Sequence, residues 1–285
     1  MSEEFPTVGL MGEGALVRMF EAPALALGVE IVSIKPSLDS VQVARCSVMS
    51  AIGDSIPISQ VATLEKAGVK FRPNSATMTF VKEWNANNGN QGSVDAVFSV
   101  LVARSPHGQA SAWTPTEIAF SHDTTTTITP SSKLDRDRLG TAQGIALALI
   151  KEFNTTGVMD VEIVLREGEL AARHLRLGPT LNGTWTIEGA RTSQFEQHLR
   201  AILDLPLGDP SLLAHNVVTG SFSGEGNMYR PYLHLMARCP AMKIHQYRSG
   251  LSETKGHVTA MGHDLLDLRE CVTHAVEYMS GVIDE

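Results

Sequence analysis

The short apolar run Thr7-Val8-Gly9-Leu10-Met11 enters the turn Gly12-Glu13-Gly14. Leu16, Met19 and Phe20 then recur at helical spacing, and a second apolar run from 29 to 34 ends at Lys35-Pro36. Two strands joined by a helix must lie parallel, so this opening predicts a doubly wound α/β layer. Pro23 lies inside the helical stretch Ala15–Leu27 and should disturb its middle. A strand over Ser47–Ile52, a helix over Ile58–Ala67 and a strand at Val69–Phe71 continue the pattern.

The pattern changes after residues 85–93, NANNGNQGS, which read as a loop and a domain boundary. Ala96–Arg104 reads as a buried strand. Asp123–Pro130 reads either as a solvated strand or as an extended connection. Asp135–Phe153 is predicted helical and Val158–Leu165 extended. Ser193 and Glu196 form an S-x-x-E capping box ahead of a helix that presents Phe195, Leu199 and Ile202 on one face. Short strands are expected around His215–Ser221, Met242–Tyr247 and His257–Met261. A last helix from Asp264 carries the stripe Leu265, Leu268, Val272, Ala275, Met279 toward a core.

Composition narrows the function. A formal net charge of −8 opposes a nucleic-acid footprint and an anionic membrane surface. No apolar run approaches the ~20 residues that span a bilayer, and the acidic N-terminus lacks the basic start of a signal peptide. Cys46, Cys239 and Cys271 are widely spaced, so no disulfide framework or metal knuckle can be read from them, and a cytoplasmic location is expected.

Gly12-Glu13-Gly14-Ala15-Leu16-Val17 begins like a dinucleotide fingerprint but has Val17 where a third glycine belongs. The next strand ends without an acid for a ribose hydroxyl. A phosphate on the helix N-terminus, opposed by Glu13, and a plain tight turn both remain open. The ten histidines form no HxxxH or HExxH pattern, and His257 and His263 are read as flanking a turn in a structural role. Residues 221–226, SFSGEG, are a loop without a nucleophile elbow.

Trp185-Thr186-Ile187-Glu188, followed by residues 192–208, TSQFEQHLRAILDLPLG, resembles the HWT…SQFEQHLRAxxxLPLG segment of the N5-carboxyaminoimidazole ribonucleotide synthetase family. Val8–Met19 is similar to that family's GxGQLGRM opening. Phe98–Arg104 is similar to its ELSVIVAR strand, Gly157–Glu162 to its GVxxxE strand, and Lys255–Thr259 to its MGHVT segment. The resemblance implies an α/β protein with three parts: a Rossmann-like pre-ATP-grasp domain over 1–90, an ATP-grasp core over 91–210, and a small C-terminal β-rich domain with a final helix over 211–285. It also implies a homodimer. The family carboxylates aminoimidazole ribonucleotide with ATP, Mg²⁺ and bicarbonate through carboxyphosphate. The matched ligand positions are Gly12, Gly14, Lys255, Gly256 and His257, and the matched metal carboxylate is Glu162.

The departures from the family fall on polar positions. His174 stands where the second metal carboxylate is expected, Gly178 replaces an arginine and Leu181 an asparagine. Ala15 replaces a glutamine, Val17 a glycine and Val97 a glutamate, and Ser252-Glu253-Thr254-Lys255 leaves one lysine of the Arg-Lys pair. Trp84 passes through the Asn-rich stretch directly to Val94, so the ATP-grasp domain is expected to be truncated, without its small nucleotide-gripping subdomain. Glu162 is read either as half of a metal site or as an ion-pair partner of Arg173 or Arg176. These losses predict a degenerate relative of purine biosynthesis, with no catalytic residue assigned and no cofactor expected. It would be kept for binding, assembly or regulation with a purine-pathway nucleotide or a paralogue. A working ligase with a reduced site and a binding module unrelated to purines remain the alternatives.

Overall fold

The computed structural model describes residues 5–12, 14–34, 40–53, 56–89, 92–121, 124–223, 230–247 and 254–283. The first unit contains β1 (Thr7–Met11), α1 (Ala15–Arg18), α2 (Glu21–Leu27), β2 (Glu30–Ile34), α3 (Ser40–Ala44), β3 (Val48–Ala51), α4 (Ile58–Lys66) and α5 (Ser75–Asn88). Its three strands are parallel in the order β2-β1-β3. Phe71 reaches this sheet only through a single bridge to Met49, so the strand expected at Val69–Phe71 reduces to one residue pair. Pro23 falls in the first turn of α2, where a missing N–H costs nothing, and the helix breaks ahead of it at Met19 and Phe20.

The second unit contains β4 (Ala96–Arg104), β5 (Ala110–Ala112), β6 (Thr116–Ser121), β7 (Thr124–Thr129), α6 (Arg136–Glu152), β8 (Gly157–Arg166) and β9 (Glu169–Leu177). It continues through α7 (Thr186–Gly189), α8 (Gln194–Leu203), β10 (Asn216–Ser223), α9 (Arg230–Arg238), β11 (Lys243–Gln246), β12 (Thr254–Gly262) and α10 (Leu265–Met279). Its strands form one antiparallel sheet in the order β11-β12-β10-β7-β6-β4-β8-β9, with β5 on β4. The strands after residue 211 therefore extend the sheet that begins at Ala96. Helix α6 covers one face, placing Ala142, Ala146 and Ile150 on Phe98, Val100 and Val161. Helix α10 places Val272, Ala275 and Val276 on Val218, Val258 and Ala260.

Two sequence expectations change here. Residues 85–88 are helical rather than loop, because the Asn85 amide both accepts from Leu175 N–H and donates to Leu175 C=O, each at 2.8 Å, pinning α5 to β9. Asn90 and Gln91 lie outside the described residues. The threonine run is an interior strand: β7 lies between β6 and β10 with Thr127, Ile128 and Thr129 buried, while Asp123 lies outside the described residues.

Helix α8 joins the two units. Phe195, Leu199 and Ile202 pack on Leu10, Phe20 and Ala24 of the parallel layer. Ser193 Oγ accepts from Glu196 N–H and caps the helix, while the Glu196 carboxylate pairs with Arg200 at 2.6 Å. Cys239, just after α9, and Cys271 on α10 pair as a disulfide that the sequence spacing did not reveal. Among the described residues no helix is long and apolar enough to cross a membrane.

Candidate functional site

The matched metal position lies on the open end of the large sheet. Strand register sets Glu162 of β8 directly opposite His174 of β9, so the structure does bring these two residues together. A bulge between Glu162 and Ile163 shifts the register and turns Arg173 toward the carboxylate as well. Arg173 Nε donates to Glu162 Oε1 at 2.7 Å, and Arg176 donates to Oε2 at 3.3 Å. Glu162 is buried and both its oxygens are engaged by guanidinium groups. His174 borders a cavity of about 740 Å³ that is also lined by Ile58, Met78, Lys82 and Asn85.

Two residues earlier, Asp160 is fully buried. It accepts from Ser99 Oγ at 2.6 Å, Thr180 Oγ1 at 2.8 Å and Asn182 Nδ2 at 3.3 Å. Sequence reasoning did not single it out, although an acid inside the apolar run VMDVEIVL is itself a signal that polar partners wait across the strands.

Helix α1, which follows the opening turn, and the end of β11, which pairs with β12, border a second place. Gly12 follows β1 so close to the residue after β3 that a Cβ there would lie 2.5 Å from the Ile52 carbonyl oxygen, which makes it a packing glycine. Gly14 has φ +89° and precedes α1, while Glu13 lies outside the described residues. Ala15, Arg18 and Met19 line one side of a groove of about 280 Å³, and Ile187, His245 and Tyr247 line the other. Gly256 is required by closeness: a Cβ would lie 2.2 Å from Phe222 Cζ and 2.3 Å from the His245 carbonyl oxygen. The Lys255 carbonyl oxygen accepts from Tyr247 N–H at 2.6 Å. Ser252 and Glu253 lie outside the described residues, as do residues 224–226 of the predicted loop.

His257 sits inside β12 rather than beside a turn, because β12 runs unbroken to Gly262. Its ring stacks on His245, the directly opposed residue of β11, with centroids 4.5 Å apart and planes inclined by 10°. Its Nδ1 lies 2.5 Å from Tyr247 Oη, and His245 Nε2 lies 2.6 Å from Glu188 Oε1. Burial first, then the neighbouring His245, pushes the His257 pKa well below the usual imidazole range. Burial first, then Glu188, raises that of Tyr247 above the usual phenol range. His257 also faces a smaller cavity of about 150 Å³ walled by hydroxyls and an amide: Thr125, Thr127, Asn182, Thr219 and Tyr247. Such a wall can hydrogen-bond a small polar ligand from several directions. Glu188, His245 and Tyr247 escaped sequence reasoning because they are scattered along the chain with no local motif.

His198, within the segment that carries the family resemblance, holds α8 in place. Its Nδ1 accepts from Val158 N–H at 3.0 Å, which leaves the Nε2 proton to donate to Ser50 Oγ at 2.8 Å. Complete burial lowers its pKa to about 3.

Residues 93–195 match the ATP-grasp domain family. The N5-carboxyaminoimidazole ribonucleotide synthase of Mycobacterium tuberculosis (strain ATCC 25618 / H37Rv) is 39% identical over 194 residues, covering 64% of this chain and 44% of that protein. The protein of the same name from Bacillus subtilis (strain 168) is 32% identical over 168 residues, covering 57% of this chain and 43% of its own length. The chain thus spans less than half the length of these curated relatives. The solved N5-carboxyaminoimidazole ribonucleotide synthetase of Thermotoga maritima superposes with a TM-score of 0.80 at 20% identity, covering 96% of this chain and 98% of that one. The corresponding Thermus thermophilus structure gives 0.81 at 18%, covering 98% and 99%. These structures share the mixed α/β fold. Residues 93–195 thus carry an ATP-grasp domain, and over the matched segments and in overall fold the chain is similar to N5-carboxyaminoimidazole ribonucleotide synthetases.

Proposed function

We propose that this chain is a shortened family member that does not carboxylate aminoimidazole ribonucleotide and serves purine biosynthesis by binding, assembly or regulation in the cytoplasm. The observation that carries this reading is the environment of Glu162. Mg²⁺ asks for oxygen ligands in near-octahedral geometry. At the matched metal position both carboxylate oxygens are held by Arg173 and Arg176, and the residue opposite is the imidazole-bearing His174. Two guanidinium groups repel a divalent cation where the family's chemistry needs one. The residues present therefore do not fit Mg²⁺, and no catalytic step is derived through it. The short link from α5 to β4 adds to this, since Trp84 and Val94 are joined by a stretch too brief to hold a phosphate-gripping subdomain. Phosphoryl transfer depends on positioning and preorganised charge, which a missing jaw of the cleft does not supply.

The hydroxyl-lined cavity beside His257 supports retention of a small polar ligand of the pathway. Two assays test the reading. Phosphate release is followed with ATP·Mg²⁺ and bicarbonate, with and without aminoimidazole ribonucleotide, on wild type and His174→Glu; no turnover is expected from either. Titration calorimetry with the nucleotide alone is expected to give saturable binding. Bicarbonate-dependent turnover in wild type, abolished by Glu162→Ala, would overturn the proposal.

A further inference from the structure

We propose that Glu188, His245 and His257 bind one divalent transition-metal ion of the zinc class. Their donor atoms all lie within 4.8 Å of one another. The three come from separate elements. His245 and His257 are opposed across β11 and β12, so their rings rise from the same face of the sheet. Glu188 descends from α7, which is seated on β10: Trp185 is fully buried, and Gly189 lies so near Val217 that a Cβ would approach its Cγ2 to 2.8 Å. The donors are thus fixed by the scaffold rather than carried on a loop.

The second observation is independent of that clustering. His257 is 1% exposed, yet among the described residues its Nε2 has no hydrogen-bond partner, and neither does the buried Oε2 of Glu188. A buried polar atom left unpaired costs free energy, and two within one cluster call for a common partner. The other nitrogen of His257 is already engaged by Tyr247 Oη. A ligating histidine is usually oriented in this way through its second nitrogen, with the remaining lone pair turned to the metal.

The donor set selects the ion. Two imidazole nitrogens and one carboxylate suit zinc and its first-row neighbours, whereas Mg²⁺ prefers oxygen alone. Three protein ligands leave a fourth position for water or a ligand oxygen. The small hydroxyl-lined cavity adjoins His257 and Tyr247, while the groove beside α1 adjoins His245 and Tyr247, so either could supply that fourth ligand. This site lies apart from Glu162 and does not depend on the proposed loss of carboxylation.

The test is calorimetric titration of the chelator-stripped protein with Zn²⁺, and separately with Mg²⁺, on wild type, Glu188→Gln and His245→Gln. Cobalt(II) spectra of the same proteins give a second readout. One Zn²⁺ per chain is expected, weakened by at least about a hundredfold in each variant, as for loss of metal-site groups. Cobalt(II) should show visible bands of a low-coordinate nitrogen and oxygen site. His245→Gln keeps size and polarity at a half-buried position, so it remains informative if Glu188→Gln fails to fold. Absence of Zn²⁺ binding stronger than that of Mg²⁺, binding that survives in His245→Gln, or a thiolate charge-transfer band from Cys46 or a reduced Cys239–Cys271 pair would overturn the proposal.

Discussion

Lowering the pH should destabilise this fold through His198. The imidazole is fully buried, is held between Val158 N–H and Ser50 Oγ, and has a pKa lowered to about 3 from 6.5. Its neutral form is the folded form. Below pH 6.5 the unfolded chain takes up a proton that the folded chain refuses, so stability is present above 6.5 and is lost as the pH falls toward 3. At pH 5 the proton is favoured in the unfolded state by about 1.5 pH units, which corresponds to roughly 2 kcal/mol. His198→Gln should lose about 2–4 kcal/mol at pH 7.5, through the lost bonds and the weaker packing against Phe20. It should then lose about 2 kcal/mol less than wild type between pH 7.5 and pH 5. His257 also has a lowered pKa, but it is present in both proteins and cancels in the difference. The assay is urea unfolding followed by tryptophan fluorescence, which reports on the fully buried Trp113 and Trp185. Equal pH dependence in wild type and variant, within about 0.5 kcal/mol, would refute the assignment of the lowered pKa to His198.

Gly157→Ala should destabilise by about 2 kcal/mol or more: its φ is +112°, and a Cβ would lie 2.8 Å from His198 Cε1, so thermal melting should show a clear fall. Glu162→Ala should cost about 2–3 kcal/mol in urea unfolding, because it leaves Arg173 and Arg176 side by side and partly buried with their shared carboxylate gone. Sedimentation equilibrium at micromolar concentration should return twice the 30.7 kDa chain mass; a single-chain mass would remove the proposed homodimer.

Much of the framework was legible in the sequence because apolar periodicity reports burial directly. The parallel opening, the α6 helix, the Ser193 cap and the α10 stripe all follow from residue spacing. Legibility failed where a polar residue satisfied a tertiary partner. Asn85 looks like a loop residue until its amide is seen bridging both backbone groups of Leu175. The threonines of β7 look solvated until Thr116 meets Thr129 and Thr127 meets the Thr219 carbonyl across the strands. An ion pair of Glu162 with Arg173 or Arg176 was one of two readings the sequence offered, and the bulge that brings both arginines to it was not legible; the Glu188–His245–His257 cluster was not legible at all. It depends on register between β11 and β12 and on where α7 is seated, and neither is encoded in local spacing.

The segment that most clearly ties this chain to its relatives does not hold the Glu162 carboxylate, and what it does here is mechanical. Phe195, Leu199 and Ile202 join the parallel layer to the large sheet. Gln194 donates to and accepts from the Thr180 backbone at 2.7 and 3.0 Å, Gln197 clamps Gly208 through two bonds, and His198 ties Ser50 to Val158. Each of these polar side chains is buried and fixed by complementary partners on both sides, so any single replacement strands a donor or acceptor. Such a seam constrains sequence as tightly as an active site does, but for a different reason. A strong match over residues 185–208 therefore argues for the shared arrangement of two layers. The reaction has to be argued separately, from the groups that would meet phosphate and metal. There this chain places Arg173, His174 and Arg176 around its one matched carboxylate.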